Sequence, residues 1–522
     1  MTDPYRDLRP LEDREPWDIL VVGGGANGLG AAMDAVSRGY RTLLVERGDF
    51  ASGTSSRSTK LIHGGVRYLE QGRLSLVRES LRERATLLAN APDFVQPVRF
   101  VVPAYSRWER AKLRLGLRLY DRLAPLHSRS ADGIVTSLPP SRTLTPREAL
   151  DVWPALMEDG LCGAVTFSDA QFDDARLAIA LARRVRSLGG CVLNYAEVVG
   201  LESDRTGRII GVHVVDRDPA GSDSERGGEG WAPTDYAAHR ANPGSHTYSI
   251  HASVVIDATG AFTPFARERV TLSRGSHIVL GPEFVPGDHA LLVPRTEDGR
   301  VLFAIPWYGR LLVGTTDIAE EAADLEPRPS EAELDYLLEH VRPFLGIRPA
   351  RADIRSAWTG VRALLSGADG PTSRLSREHG LLETRAGLLS VIGGKWTTYR
   401  ATAEDVVNRA AAIGGLPFAP SRSASIEITD LGGGAVDSVS PDWVRHVARE
   451  DSARCVADVL ARRSRLLFLD ARAAVDLSRD VARILADEFG RDDSWAQHEV
   501  QMFAQLALRY LPPGNESSDD AS

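Results

Sequence analysis

The sequence predicts an α/β protein: a nucleotide fold on a parallel sheet, a second domain on an antiparallel sheet, and an all-α C-terminal domain. Three observations carry the prediction. The apolar run Ile19–Val22 leads into Gly23-Gly24-Gly25, and G-x-G-x-x-G falls on Gly23, Gly25 and Gly28, where a buried strand would join a helix. Val301–Pro306 and Arg310–Val313 belong to a set of short strands that suggests an antiparallel sheet. From about 441 to 511 the pattern is helical throughout, as in Val456–Arg463 and Ala473–Glu488.

The glycines serve a tight turn, close backbone approach to a pyrophosphate, and close helix–strand contact. Ala31, Ala32 and Ala35 favour a helix packed close to the sheet. Free N–H groups at its positive end would hold the pyrophosphate, with Asn27 in the same turn. A second strand, Thr42–Val45, ends in Glu46, about twenty residues after the motif, where an acid holds a ribose hydroxyl. That acid argues for a bare ribose, as in FAD or NAD, and against NADP. A glycine-rich turn with no ligand is the plainer reading, and the strand–helix–strand context disfavours it.

At 522 residues the chain is too long for one core, so two or three domains are expected. Hydrophobic content of 43% and charged content of 25% are those of an ordinary soluble globular protein. A net charge of −9 disfavours non-specific nucleic-acid binding, and no nucleic-acid partner is expected. Cys162, Cys191 and Cys455 have neither zinc nor disulfide spacing, which fits a reducing compartment without a metal site. The stretch Met1–Asp7 is too polar for a signal peptide, and no apolar run is long enough to cross a bilayer. The expectation is a cytoplasmic protein whose membrane contact, if any, is peripheral.

Gly48–Tyr68 is a stretch of hydroxyls and glycines with Lys60, His63 and Arg67 interleaved. It reads as a surface loop, except that Leu61, Ile62, Val66, Tyr68 and Leu69 would anchor it in a core. A buried loop needs partners for its backbone and hydroxyl groups, and a polar cofactor supplies them. The expected contacts are Thr54, Ser55 and Ser56, then Lys60, His63, Gly64 and Gly65. Within this stretch, Ser58-Thr-Lys-Leu-Ile-His-Gly-Gly-Val-Arg-Tyr-Leu-Glu70 resembles the signature of the FAD-dependent glycerol-3-phosphate dehydrogenases, the aerobic bacterial and mitochondrial type. The resemblance implies FAD as cofactor and a two-dinucleotide-fold FAD domain, within the wider group that includes D-amino-acid oxidase and glycine oxidase.

Residues 75–91 read as a helix capped by Ser75, with Leu76, Leu81, Leu87 and Leu88 on one face; Pro92 and Pro97 bound it before a strand at Val98–Val102. Arg107–Leu123 reads as a basic helix, with Trp108, Leu115, Leu119 and Leu123 near one side and Arg110, Arg114, Arg118 and Arg122 every four residues. It is either a solvated helix over the core or a membrane-surface helix. Phe167–Arg176 resembles the family's approach to its next helix, which Asp173 or Asp174 would cap. Strands follow at Val192–Val198 and about Ile209–Asp216, with Val198 an expected cofactor contact, and residues 217–247 are expected to form an exposed, mobile insertion.

Ser253–Gly260 resembles the second flavin-side motif, which adds Thr259 and Gly260 to the cofactor contacts. Relatives usually continue with Gly-Pro-Trp, whereas this chain has Gly260-Ala-Phe-Thr-Pro264. Gly314-Thr-Thr-Asp317 matches the family, and Ile354–Gly360 is a strand leading into Val361–Leu364. Leu388–Arg400 is a strand, a Gly-Gly turn and a helix start, whose N–H groups can face the flavin ring near Gly394, Lys395, Thr397 and Thr398.

Four cations, Arg67, Arg362, Arg377 and Lys395, lie in or beside these motifs. Singly, each is an ordinary surface or ion-pair residue; convergence on one pocket would make a phosphate site. The resemblance puts Arg362, Arg377, Lys395 and the Arg67–Tyr68 pair around the substrate. It implies oxidation of sn-glycerol 3-phosphate to dihydroxyacetone phosphate, with hydride passing to flavin N5 and electrons leaving to membrane quinone. His63 is the leading candidate to assist proton removal, a hydrogen bond to the flavin being its alternative role, and Arg362 could stabilise a developing alkoxide. Two alternatives stand beside this reading: an oxidase that passes electrons to oxygen and makes peroxide, and a non-catalytic flavin-binding module. There is no second nucleotide motif, iron–sulfur pattern or haem attachment site, so the acceptor is oxygen or a diffusible carrier. A quinone acceptor implies peripheral attachment to the inner face of the cell membrane, for which the basic helix is the candidate surface; a homodimer is compatible with the sequence.

The resemblance spans nearly the whole chain. It divides it into an FAD-binding domain (1–95, 166–265 and 356–415), a substrate domain (96–165 and 266–355), a linker (416–440, including Leu431–Gly434), a helical domain (441–511) and a disordered tail (512–522).

Overall fold

The computed structural model describes residues 6–70, 72–125, 138–220, 246–293, 300–366, 379–430 and 439–512, with only the backbone of Arg67 and Glu70. Arg377, most of the 217–247 insertion, the Leu431–Gly434 linker and nearly all of the expected tail lie outside them.

The first sheet is α/β in character. Trp17–Val22 pairs in parallel with Thr42–Val45 on one side and Thr247–Asp257 on the other, and the sheet extends to Cys191–Leu193 and Leu388–Ile392. Alternation along the first strand explains its two coats. Ile19 and Val21 join a core with Leu29, Ala32, Leu177, Leu181 and Val406, from the helices Ala26–Ser37, Asp174–Ser187 and Tyr399–Gly414. Leu20 and Val22 join Val198, Val212 and Ile250, from an antiparallel layer of Ala196–Ser203, Ile209–Asp216 and the start of Thr247–Asp257. Strands buried on both faces must be apolar throughout, which is what the run at 19–22 showed.

The second sheet is antiparallel except where His289–Val293 pairs in parallel with Val95–Ala104. Its longest ladder joins Val270–Leu280 to Ile354–Leu365. One face packs on Trp153, Leu334, Leu338 and Phe344. The other packs on the C-terminal helices Pro441–Glu450, Ala471–Phe489 and Asp493–Leu508, so Phe100, Phe167, Trp307 and Trp358 share a core with Leu460, Phe468, Leu485 and Trp495.

Several local expectations need correction. The helix expected at 75–91 runs Leu74–Asn90 with Arg73 at its N-cap position and no side-chain cap, so Ser75 lies inside it. Pro97 sits within the strand Val95–Ala104 instead of bounding the helix. It is tolerated because His289–Val293 pairs only with Arg99–Val101, which leaves one side of the strand without a partner at 97 among the described residues. The single strand expected at Val192–Val198 breaks into Cys191–Leu193 and Ala196–Ser203 at Tyr195, whose φ is +54°. Of the two candidate caps, Asp173 accepts the Arg176 N–H. The strands Gly163–Phe172 and Ile354–Leu365 lie in the second sheet past the expected boundaries at 165 and 355.

Candidate active site

The glycine turn is shaped by contacts that leave no room for side chains. A Cβ on Gly28 would lie 1.8 Å from the Gly23 carbonyl oxygen, and one on Gly23, at φ +108°, would lie 2.7 Å from that of Ala258. The helix Ala26–Ser37 starts at Gly25, which has no side chain to cap it, so the first-turn N–H groups beyond Ala26 can face an anion. Ser55 Oγ accepts the Ala26 N–H at 3.0 Å, and Asn27 Nδ2 donates to the Gly393 carbonyl at 3.0 Å. Glu46 ends its strand as expected; its carboxylate accepts the Gly24 N–H at 2.6 Å and the Gly48 N–H at 2.9 Å. Desolvation pushes this carboxyl above its usual range, against the pull of those two bonds. A glycine cradle, an uncapped helix start and a carboxylate at the next strand end fit the pyrophosphate and ribose of a dinucleotide.

The loop after Glu46 ties the remaining segments together. Thr54 Oγ1 donates to the Val361 carbonyl at 2.5 Å, one residue from Arg362. The Ser55 carbonyl accepts the Trp396 indole N–H at 2.8 Å, one residue from Lys395. The His63 N–H donates to Thr397 Oγ1 at 3.2 Å, and the Gly64 N–H donates to the Tyr120 hydroxyl at 2.7 Å. Lys395 donates to the Tyr68 hydroxyl at 2.6 Å, with its ammonium 4.2 Å from the Tyr68 ring centre. Gly65 and Gly394 have φ of +76° and +87°, Thr397 and Thr398 are buried beside them, and the Thr259 N–H and hydroxyl both bond Asp257, ahead of Gly260 at φ +63°.

Two expected cofactor residues have side chains engaged with the protein itself. Lys60 has its ammonium fully buried, 2.7 and 2.9 Å from the Asp174 carboxylate oxygens and 2.6 Å from the Ser56 carbonyl, over the rings of Trp307, Trp358 and Phe468. Burial lowers its pKa to about 7 against the attraction of Asp174. Val198 packs in the antiparallel layer under the first sheet. The Arg67 side chain and all of Arg377 lie outside the described residues, so the sequence's four cations are described only at Arg362 and Lys395.

Arg362 donates to Thr315 Oγ1 at 3.2 Å and lies 3.6 Å from Asp317. Its neighbour in this wall, His277, was not singled out from sequence. His277 is 1% exposed, stacks on Trp358 and has Nε2 2.9 Å from Thr59 Oγ1, while Nδ1 has no hydrogen-bond partner among the described residues. Two glycines make the room: a Cβ on Gly275 would lie 2.2 Å from the Arg362 guanidinium, and one on Gly314 would lie 2.1 Å from the His277 ring. Burial first, then Lys60 and Arg362, hold the imidazole well below its ordinary pKa, so it is neutral. The only signal for this grouping was the motif Gly314–Asp317; that Gly314 lies opposite His277 is a fact of strand register.

The model of a family described as FAD dependent oxidoreductase matches residues 18–400, and one described as the C-terminal domain of alpha-glycerophosphate oxidase matches residues 440–496. The mitochondrial glycerol-3-phosphate dehydrogenase of Arabidopsis thaliana is 34% identical over 97% of this chain and 88% of its own length. That of Rattus norvegicus is 32% identical over 97% and 74%. Among solved structures, a glycerol-3-phosphate dehydrogenase from Bacillus halodurans complexed with FAD superposes with a TM-score of 0.73 at 24% identity, over 99% of this chain and 100% of its own. An L-alpha-glycerophosphate oxidase from Mycoplasma pneumoniae with FAD bound gives a TM-score of 0.55 at 16% identity, over 79% and 98%. These two structures are likenesses of fold.

Proposed function

The chain belongs to the FAD-dependent oxidoreductases and, within them, to the glycerol-3-phosphate dehydrogenases, and from that premise we propose that it oxidises sn-glycerol 3-phosphate to dihydroxyacetone phosphate and passes the electrons to membrane quinone. The observation that carries the reading is a single loop, Thr54–Ser55, bonded on one side beside Arg362 and on the other beside Lys395, whose ammonium meets Tyr68. Two cations and a phenol drawn to one loop suit a phosphate dianion better than a single carboxylate.

Lys395 and Arg362 bind the phosphate in this account, Lys395 as a point charge steadied by Tyr68 and Arg362 through its planar fork. FAD, when bound, supplies the acceptor for the two electrons and the hydrogen of the alcohol carbon. His63, with its backbone N–H held by Thr397, receives the hydroxyl proton. Neutral His277, bonded to the Thr59 hydroxyl, stands in the wall beside Arg362 and adds no charge of its own there.

A quinone acceptor requires a lipid surface. The helix Arg107–Leu123 turns Leu117 and Tyr120 inward and leaves Trp108, Leu115 and Leu119 at 80%, 74% and 42% exposure. At 100° per residue these three form one outward stripe, flanked by exposed Arg107, Arg114, Arg118, Arg122 and Lys112. An apolar stripe edged by cations fits the headgroup layer of an anionic bilayer, here the inner face of the cell membrane. No helix among the described residues is long and apolar enough to cross it.

The experiment is turnover of the FAD-loaded protein with glycerol 3-phosphate and a short-chain quinone under nitrogen, compared with air. The reading expects quinone reduction matched to ketone formed and little peroxide. Rapid peroxide in air without quinone turnover would make the protein an oxidase.

A further inference from the structure

The cofactor loop has a second set of partners, in which Arg462, Arg463, Arg465 and Tyr510 of the C-terminal part of the chain are joined by Asn194, Asp174 and Glu326. At its start, the buried Asp49 carboxylate is gripped by Arg463, one bond of which is 2.9 Å, by Arg462, and by Asn194 at 3.3 Å. Further along, the Ser56 carbonyl accepts from Arg465 at 3.0 Å, and the same guanidinium reaches Asp174 at 3.1 Å. Asp174 in turn binds Lys60 and accepts the Ser58 hydroxyl at 2.7 Å. Next to Ser56, buried Arg57 meets the Tyr510 hydroxyl at 3.1 Å and Glu326 at 2.5 Å. Between the two grips lie Thr54 and Ser55, which bond Val361, Trp396 and the first turn of the dinucleotide helix.

The local backbone is built for this. Asp458–Arg463 is a π-helical turn, and Arg465 follows at φ +64°, an uncommon conformation for a residue with a side chain. The result sends Arg462, Arg463 and Arg465 all into the flavin domain, where each is at least nine-tenths buried and pairs with a carboxylate. Guanidinium groups this deeply buried would be costly without such partners, and losing one partner would leave a buried charge exposed to that cost.

We infer that the C-terminal helical domain is the clamp that shapes the FAD-binding loop, with Arg462, Arg463 and Arg465 as positioning residues for the cofactor. The inference rests on reading Thr54–Ser56 as cofactor contacts, and is independent of which alcohol the enzyme oxidises. Linkage makes it reciprocal: a clamp that tightens FAD binding is itself tightened when FAD binds.

Two measurements on the full chain test it. Flavin fluorescence titration of FAD-stripped Arg463→Met, Arg465→Met and the milder Tyr510→Phe should show FAD dissociation constants raised at least tenfold for the arginines and about threefold for Tyr510→Phe. At saturating FAD, the KM for glycerol 3-phosphate should stay within twofold of native. Should the arginine variants fail to fold, hydrogen exchange on the native protein stands alone: FAD should slow exchange of the amides of Val456–Leu469. Native FAD affinity in folded variants, or exchange in that segment indifferent to FAD, would overturn the clamp. Failure of glycerol 3-phosphate to reduce the bound flavin would sink the substrate reading and leave this inference standing.

Discussion

Lys395 and Tyr68 are 327 positions apart in the chain and 2.6 Å apart in space. A charge-assisted contact of this kind is worth roughly 1.5–3 kcal/mol, so Lys395→Met should raise the KM for glycerol 3-phosphate about tenfold to a hundredfold. The same change should leave the weak oxidation of glycerol nearly unaltered, and equal losses on both substrates would assign the lysine to flavin or fold. His277 makes a different prediction. Its folded pKa lies well below 6.5, so below about pH 6.5 the unfolded chain binds a proton that the folded chain does not. The stability it confers is present above that pH and lost as pH falls through it. His277→Gln should flatten the acid limb by up to about 1.4 kcal/mol per pH unit, measured by denaturant unfolding between pH 7 and 5.5. An unchanged slope would mean that the imidazole is protonated in the fold. Lys395, Tyr68 and Arg362 were legible as candidates because each lies in a recognisable motif. His277 was not, since its place depends on an empty Cβ position at Gly314 that only strand pairing brings beside it.

The helix Arg107–Leu123 shows where element-level reading stops. Its two ends were legible in sequence, with Ser106 capping the first turn through the Glu109 N–H. Its inner face was not, because leucines at 113, 115, 117, 119 and 123 spread over more than half of the cylinder, and the choice falls to Leu117 and Tyr120. Arg110 also drops out of the exposed cations, because its guanidinium holds the Cys162 carbonyl at 2.5 Å. The remaining arginines give a clean test. Each cation near an anionic leaflet is worth about 1 kcal/mol, so changing Arg114, Arg118 and Arg122 together to Glu should weaken vesicle co-sedimentation by roughly a hundredfold or more. The melting temperature should hold, since all three are exposed. Binding that survives the change would place the lipid contact on another surface. At the dinucleotide turn, Gly28→Ala sets a methyl 1.8 Å from the Gly23 oxygen, so the helix must move off the turn. The variant should purify without flavin, and a yellow, FAD-loaded Gly28→Ala protein would contradict the cradle.

At the scale of the molecule, the two sheets and the helical C-terminal domain were legible because their hydrophobic periods differ: continuous runs in the first sheet, short alternating strands in the second, and a helical repeat after 441. What periodicity could not reveal is that helices read as a separate cap share one core with the second sheet and reach buried arginines into the flavin loop. Such contacts depend on charge pairing across hundreds of residues, and Asp49 and Arg463, 414 positions apart, carry no local signature. The whole assembly converges on one claim, that flavin held by the first domain meets a phosphate ester held by Arg362, Lys395 and Tyr68. The most direct measurement is the visible spectrum of the FAD-loaded protein, titrated without oxygen first with sn-glycerol 3-phosphate and then, in a fresh sample, with glycine or D-alanine. The account predicts complete bleaching of the flavin band by the phosphate ester and none by the amino acids. Bleaching by an amino acid, with the phosphate ester inert, would contradict it.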